Sequence, residues 1–469
     1  MTTATVVGSG PNGMAAALTL AGAGVRVTVV EAADRLGGGV RTSELTLPGL
    51  LHDECAAFHP LGPSSPYLRS VELEGAGLRW AWAPHELAHP LAAGGGAVLQ
   101  RSVAATAAGL GDDGRRWAQV FGPLVERFGA ISREVMGPVL HVPSHPLALA
   151  RFGLRSAAPA TLLARAWRGP AAAALFGGVA AHAMRPLDSV FSSAIGVMLT
   201  TAAHADGWPV AVGGSEAILR ASLRRAEELG VRLETGRCVT SIDELGTDLV
   251  LLDTRPAAAA RILGRRLPAR VRRAFERYVP APGVFKVDLA VEGGVPWRHE
   301  QSRRAGTVHV GGDLSEVAYA EREVVAGRMP ARPFVLVGQQ HLADPTRSKG
   351  DVHPVYAYAH VPHGYDGDAT DSIVSRIEEF APGFKDRILA TASRSVSQGF
   401  EKNANLDGGD VIGGAGDLRQ LVFRPRVAAD PYATGVPGAF LCSASTPPGA
   451  GAHGMCGYLA ARSALRSLA

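Results

Sequence analysis

Apolar and polar positions alternate between two regimes along this chain. The first is set at the start, where Ala4-Thr5-Val6-Val7 precedes a turn, a helix-compatible run over 14–23 and a second apolar run over 25–30. Strand, turn, helix and strand in that order predict a β-α-β unit. The same regime returns at Val210. There Gly213-Gly214-Ser215-Glu216 reads as a turn with an N-cap, and Leu219, Leu223, Ala226 and Leu229 form one helical stripe that Gly230 ends. Strands are predicted over 231–234 and 238–242, and the apolar run 248–254 suits a parallel strand buried on both faces. A last strand over 438–444, a glycine-rich loop and a helix reaching Leu468 complete the regime.

The second regime has a period of two. Runs over 285–291, 307–310, 334–337 and 355–361 alternate apolar and polar residues, which predicts an antiparallel sheet with one buried face. Tyr356, Tyr358 and His360 share one face of their strand, as cavity lining or as cross-strand packing. Residues 64–209 are rich in Ala, Gly and Pro, with helical stretches such as 115–135, and read as a lid or cavity wall. Within them, 170–184 is an almost unbroken small-apolar run, shorter than the roughly 18 residues that span a bilayer. It reads as a buried helix, with a membrane-dipping segment as the alternative. Pro268 opens an amphipathic helix with Val271, Ala274, Phe275 and Tyr278 on one face and Arg270, Arg272, Arg273 and Arg277 mainly on the others. That is a solvated face, or a contact with an anionic membrane surface. The chain is therefore expected to be α/β: a Rossmann-like domain in three parts, 1–84, 210–265 and 401–469, and an inserted domain in two, 85–209 (mostly helical) and 266–400 (antiparallel sheet and helices).

With 469 residues, 46% of them hydrophobic, the chain is long enough for a sizeable core and is not of disordered composition. The 47 basic residues outnumber the 43 acidic ones by only 4 and are scattered, which argues against a nucleic-acid partner. Only Met1 to Thr3 precede the first strand, so no signal peptide is recognised and a cytoplasmic location is expected. Cys55, Cys238, Cys442 and Cys456 form no C-x-x-C pair, which excludes a dithiol-using reductase and leaves them as small buried hydrophobes. No metal site is expected.

The turn in the first unit is Gly8-Ser9-Gly10-Pro11-Asn12-Gly13, a G-x-G-x-x-G. Gly8 permits the turn, Gly10 lets backbone approach a pyrophosphate, and Gly13 lets helix and strand pack closely. The helix start would face the phosphates, and Glu31, eighteen residues after Gly13, would accept from a ribose and repel a 2′-phosphate. Ala32 follows, and then a second glycine-rich turn, Gly37-Gly38-Gly39, with Arg41 at its end. A nicotinamide dehydrogenase does not need that second loop. An extended FAD does, with Arg41 on its pyrophosphate. The C-terminal loop 445–457, including Gly451, His453, Gly454 and Met455, is expected to aim a helix N-terminus at the flavin edge that gains negative charge on reduction. His59, in Phe58-His59-Pro60, is a polar group near the flavin or a residue that orders its turn.

The glycine fingerprint with Glu31, the 37–42 turn, Phe58-His59-Pro60 with Ser65-Pro66-Tyr67, the run 283–288 and the loop 445–457 together resemble the phytoene desaturase and retinol saturase superfamily. The resemblance is to its bacterial branch, similar to pyridine nucleotide-disulfide oxidoreductase domain-containing protein 2, and covers nearly the whole chain. It implies a fold of the glutathione reductase and amine oxidase type, non-covalent FAD and Val239 beside the adenine; read as cavity lining, Tyr356 and Tyr358 are the candidate substrate contacts. The implied enzyme is an FAD-dependent oxidoreductase that dehydrogenates an apolar, polyene-like or secondary-metabolite substrate by hydride transfer to flavin N5. Oxygen, a quinone or another carrier is the acceptor, because no second strand-GxGxxG-helix unit exists for NAD(P)H. His59 and His453 are the candidates for an acid or base. A redox-neutral isomerase, an amine oxidase and a non-catalytic protein resembling the Rab GDP-dissociation inhibitors are the alternatives.

Overall fold

The computed structural model describes residues 1–92 and 94–468; Ala93 of the expected lid and the terminal Ala469 lie outside the described residues. Five parallel strands form one sheet in the order Ala439–Leu441, Leu249–Leu252, Thr3–Val7, Arg26–Val30 and Arg232–Glu234. Alternation along the strands sends side chains to opposite faces, and each face has its own cover. Ala4, Val6, Val29 and Leu251 pack with Met14, Ala17, Ile218 and Ala461, from the helices Pro11–Gly22, Glu216–Glu228 and Met455–Arg466. Val7, Val30, Val250 and Leu252 pack with Ile262, Val271 and Phe275, from the helices Pro256–Leu263 and Ala269–Glu276. This is a doubly wound, Rossmann-like layer structure.

The strand expected over 238–242 does not form. Ser241 and Glu244 make a capping box that turns the chain into the 3-10 turn Ile242–Glu244, and Cys238 is exposed rather than buried. A polar turn signal thus overrides a β-favouring run. Cys55 is only half-buried, while Cys442 and Cys456 are buried as expected.

A seven-stranded sheet runs Ile388–Arg394, Gly283–Glu292, Val352–Val361, Val335–Gly338, Ala305–Val310, His85–Pro90 and Gly96–Leu99. It is antiparallel except where Ala305–Val310 meets His85–Pro90. Four strands match the alternating runs. His85–Pro90 and Gly96–Leu99 lie in a stretch read as part of the helical lid, and all six residues of His85–Pro90 are buried despite three polar side chains and a proline. One face of this sheet is apolar, with Val287, Leu289, Val308 and Ala357 against Ile373 and Ile377 of the helix Thr370–Phe380.

The small-apolar run becomes the buried helix Pro170–Ala180, crossed so closely by Ser193–Ala205 that a Cβ on Gly196 would lie 2.9 Å from that of Ala180. Among the described residues, no helix is long and apolar enough to cross a membrane. One buried network joins the turn Pro345–Arg347 to the segments around Asp53 and Ala211. The guanidinium of Arg347, fully buried, donates to Asp53, to Asp344 and, at 2.9 Å, to the carbonyl of Ala211. Asp53 in turn accepts from the Thr42 hydroxyl at 2.9 Å and from Ser215 N at 2.7 Å.

Candidate functional site

The glycine turn joins Thr3–Val7 to the helix Pro11–Gly22, and each glycine has a steric reason. Gly8 has φ +104°, and a Cβ there would lie 2.9 Å from the Asp253 carbonyl oxygen. A Cβ on Gly13 would lie 2.0 Å from the Gly8 carbonyl, and one on Gly10 would lie 2.8 Å from Asp253 Oδ2. The helix starts at Gly10 and Pro11 with no cap from the N-cap residue itself and no acid in its first turn, a start that suits an anion. Asn12 Oδ1 is buried there without a partner. Asp253, at the end of the neighbouring strand, reaches under the turn, and its Oδ2 accepts the Gly13 N–H at 2.9 Å. Burial, helped by the charge of Glu31, pushes the Asp253 carboxyl up to about 7.

Glu31 is braced from both sides. Its carboxylate accepts from Ser9 N at 3.0 Å, Ser9 Oγ at 2.6 Å and Ala33 N at 3.0 Å. Gly236 N and Arg237 N bond the Ala33 and Glu31 carbonyls, so the segment leading to Val239 runs beside that acid; Val239 itself is buried and Ala32 is exposed. The second turn packs onto the first: a Cβ on Gly38 would lie 3.1 Å from Gly10 Cα, while Gly39 neighbours Cys55. Arg41, expected on a diphosphate, is buried with its guanidinium on the carbonyls of Arg35, Leu36 and Lys402. Those three bonds leave two of its five N–H donors.

The C-terminal loop arrives at the same place. A Cβ on Gly457 would lie 1.8 Å from the Asn12 carbonyl oxygen, and Gly454, at φ +70°, touches the Tyr67 ring and Ala15. His453 Nδ1 accepts from Met455 N at 3.1 Å, so its Nε2–H donates to the Ala450 carbonyl, also at 3.1 Å. Gly451 lies exposed beside that ring. Burial lowers His453 to about 4 and keeps it neutral. His59 is likewise buried and lowered to about 4, its Nε2 2.9 Å from Ser215 Oγ and its ring 5.5 Å from Trp80. The Ser215 hydroxyl does not cap its helix; it donates to the Ala56 carbonyl at 2.6 Å. Both histidines are thus held in place by neighbouring groups.

The other face of the seven-stranded sheet is unusual for a buried surface. Lys286 and Asp288 form an ion pair there, opposite Tyr358 and Tyr356 in register. Burial raises the Asp288 carboxyl, but Lys286 and then His52, 3.3 Å away, outweigh it and leave the group below its ordinary value. Lys286 Nζ lies 4.6 Å from the centre of the Tyr356 ring, and the Tyr356 hydroxyl donates to the Cys55 carbonyl at 2.7 Å. Tyr356 and Tyr358 meet edge to face at 5.7 Å. Beyond them, His360 Nδ1 is 2.6 Å from Glu321 Oε1, and the His309 and His182 Nε2 atoms are 3.1 Å apart. Cys55, Tyr358 and His182 are each only partly buried. Among the described residues, no group of three His, Cys, Asp or Glu is placed to hold a metal ion.

Sequence reading missed Asp253, the Lys286–Asp288 pair and Glu321. The signal available was a polar residue at the carboxyl end of a buried parallel strand, or at an inward position of an alternating one.

The layers and the glycine cradle define a dinucleotide-binding, Rossmann-like protein with an attached antiparallel-sheet domain. Residues 6–71 match the model of the NAD(P)-binding Rossmann-like domain. Over 206 residues, 39% of the chain, the sequence is 27% identical to pyridine nucleotide-disulfide oxidoreductase domain-containing protein 2 of Rattus norvegicus, and spans 35% of that protein's length. The fold is similar to an oxidoreductase from Methanosarcina mazei, with a TM-score of 0.64 and 16% identity over 99% of this chain and 100% of that one. It is also similar to wild-type putrescine oxidase bound to putrescine, with a TM-score of 0.62 and 18% identity over 100% and 99%.

Proposed function

We propose that the chain is an FAD-dependent oxidoreductase. The observation that carries this reading is the convergence of both chain ends on one cradle, with Gly457 against Asn12 and the Gly37–Gly39 turn against Gly10. The residues present fit the cofactor: a helix start with no acid in its first turn, of which Asp253 takes only the Gly13 N–H, and Glu31 held ready by Ser9 and Ala33. Gly8, Gly10, Pro11, Asn12 and Gly13 would hold the diphosphate, Glu31 and Ala32 the ribose, and Val239 the adenine side. Gly38, Gly39, Arg41, Gly451, His453, Gly454 and Met455 would complete the wall. Bound there, FAD supplies a two-electron acceptor for hydride. The matched domain is named for NAD(P), but the second glycine turn and the loop 445–457 support the longer flavin dinucleotide.

Substrate would lie toward Cys55, Tyr356 and Tyr358. A carbon would give up a hydride and a neighbouring atom a proton, and the electrons would pass on to oxygen, a quinone or another carrier. Desaturation of an apolar, polyene-like compound is what the superfamily resemblance supports. The polar groups on the sheet face, with the likeness to putrescine oxidase, favour amine oxidation as the second reading. Purified protein should show a flavin absorption spectrum, and Glu31→Gln should weaken FAD binding by roughly tenfold by removing charge-assisted hydrogen bonds. Anaerobic mixing with polyenes and with amines should bleach the band with one class. A colourless protein that takes up no added FAD overturns the reading.

A further inference from the structure

Most exposed large apolar side chains on this protein stand singly, as they do on ordinary surfaces. One group does not. Val139, Leu140, Val142, Leu147 and Leu154 fall within sixteen residues, and four of them are strongly exposed: Leu140 at 66%, Val142 at 92%, Leu147 at 77% and Leu154 at 79%. Leu147, Arg151 and Leu154 share the outward face of the helix Pro146–Ala157, while Phe152 and Ser156 are buried on the opposite side. This helix buries one face in the protein and presents leucines outward. The loop before it is fixed beside it, because Glu134 accepts from His145 N and meets His145 Nδ1, each at 2.9 Å, and meets His141 Nε2 at 2.5 Å.

Charge selects the partner. From Val135 to Leu187 the sequence contains no Asp or Glu but holds Arg151, Arg155, Arg165, Arg168 and Arg185. The first four of these form no ion pair with an acid among the described residues. Exposed leucine and valine beside unpaired arginine, on a helix lying along the surface, is the composition that suits the headgroup region of an anionic bilayer: apolar side chains enter the acyl boundary and guanidinium groups meet phosphates. Neither the small-apolar run nor the arginine-rich helix after Pro268 presents such a face. Pro170–Ala180 is buried, and Ala269–Glu276 buries its apolar residues Val271 and Phe275 against the parallel sheet.

We infer that the protein docks peripherally on anionic membrane surfaces through the patch 139–154, with Leu147 and Leu154 inserted and Arg151 and Arg155 on the headgroups. The inference is independent of the cofactor and of the substrate.

The test is flotation of the full-length protein with vesicles of equal parts phosphatidylglycerol and phosphatidylcholine, against vesicles of phosphatidylcholine alone. Wild-type protein should float with the anionic vesicles, and less as salt is raised. Leu147→Glu and Leu154→Glu should each lower the bound fraction by roughly tenfold, the loss expected from one inserted leucine. Both positions are exposed, so thermal melting should match wild type and exclude misfolding. Wild-type protein that ignores anionic vesicles, or a Leu147→Glu/Leu154→Glu variant that floats as well as wild type, overturns the inference. So does lipid-free self-association that the double variant abolishes, since the patch would then be an interface between copies.

Discussion

At Asp253 a carboxyl is buried beneath the glycine turn and accepts the Gly13 N–H. Its proton leaves at about 7 instead of the ordinary 3.8, chiefly because of burial. The folded state therefore keeps a proton that the unfolded chain has lost, and stability falls as pH rises from about 4 to 7, then levels. About three pK units correspond to roughly 4 kcal/mol. Asp253→Asn keeps an acceptor for Gly13 and removes the ionisation. Urea denaturation should find it more stable than wild type at pH 8, by about 2–4 kcal/mol, and close to wild type as pH falls to 4. Equal stabilities at pH 8 would mean that the carboxyl titrates normally. Asp253 also marks how far single residues were legible. Glycine spacing fixes a local conformation, so Gly8, Gly10 and Gly13 could be read directly. A carboxyl that reaches the turn from 240 residues away could not. His59 and His453 were legible as residues of interest but not by role, because an imidazole's behaviour depends on its partners, here Ser215 and Ala450.

Among elements, the crossing of Pro11–Gly22 with Met455–Arg466 depends on a missing side chain. Gly457→Ala would put a methyl 1.8 Å from the Asn12 carbonyl and force the two helices apart. We expect a loss of about 3 kcal/mol, read as a lower thermal midpoint, together with weaker retention of FAD. On the antiparallel sheet, Lys286→Met should cost about 3 kcal/mol by leaving the Asp288 carboxylate buried with only His52 nearby. Lys286→Met/Asp288→Leu should recover most of it, since no charge is then left unpaired. If the single and double variants melt alike, the ion pair is not what holds that face. Period-two alternation revealed four strands of this sheet because one of their faces is uniformly apolar. His85–Pro90 stayed hidden because it buries His85, Glu86 and His89, so its pattern carries no contrast between faces.

For the whole molecule, buried histidines set the response to acid. His59, His89, His204 and His453 are lowered to about 4, and His182 and His341 to about 3, in each case first by burial. A histidine with a folded pKa below its unfolded 6.5 gives its full contribution above pH 6.5. That contribution is lost as pH falls toward the folded value, at about 1.4 kcal/mol per pH unit for each ring. Six such rings outweigh the opposite slope of Asp253, so cooperative unfolding is expected between about pH 6 and 4, followed by circular dichroism. A chain that stays folded at pH 4 would show that these rings take up protons inside the fold.

What the sequence determined by itself was local: the β-α-β start, the glycine cradle, the alternating strands and the C-terminal loop. These follow from backbone sterics and side-chain period, which depend only on nearby residues. The tertiary structure alone decided that Gly457 meets Asn12, that Arg347 joins Asp53 to Asp344, that Lys286 stands opposite Tyr358, and that His182 meets His309. Those contacts join segments far apart in the chain, and their energies come from burial and from partners that exist only once it has folded.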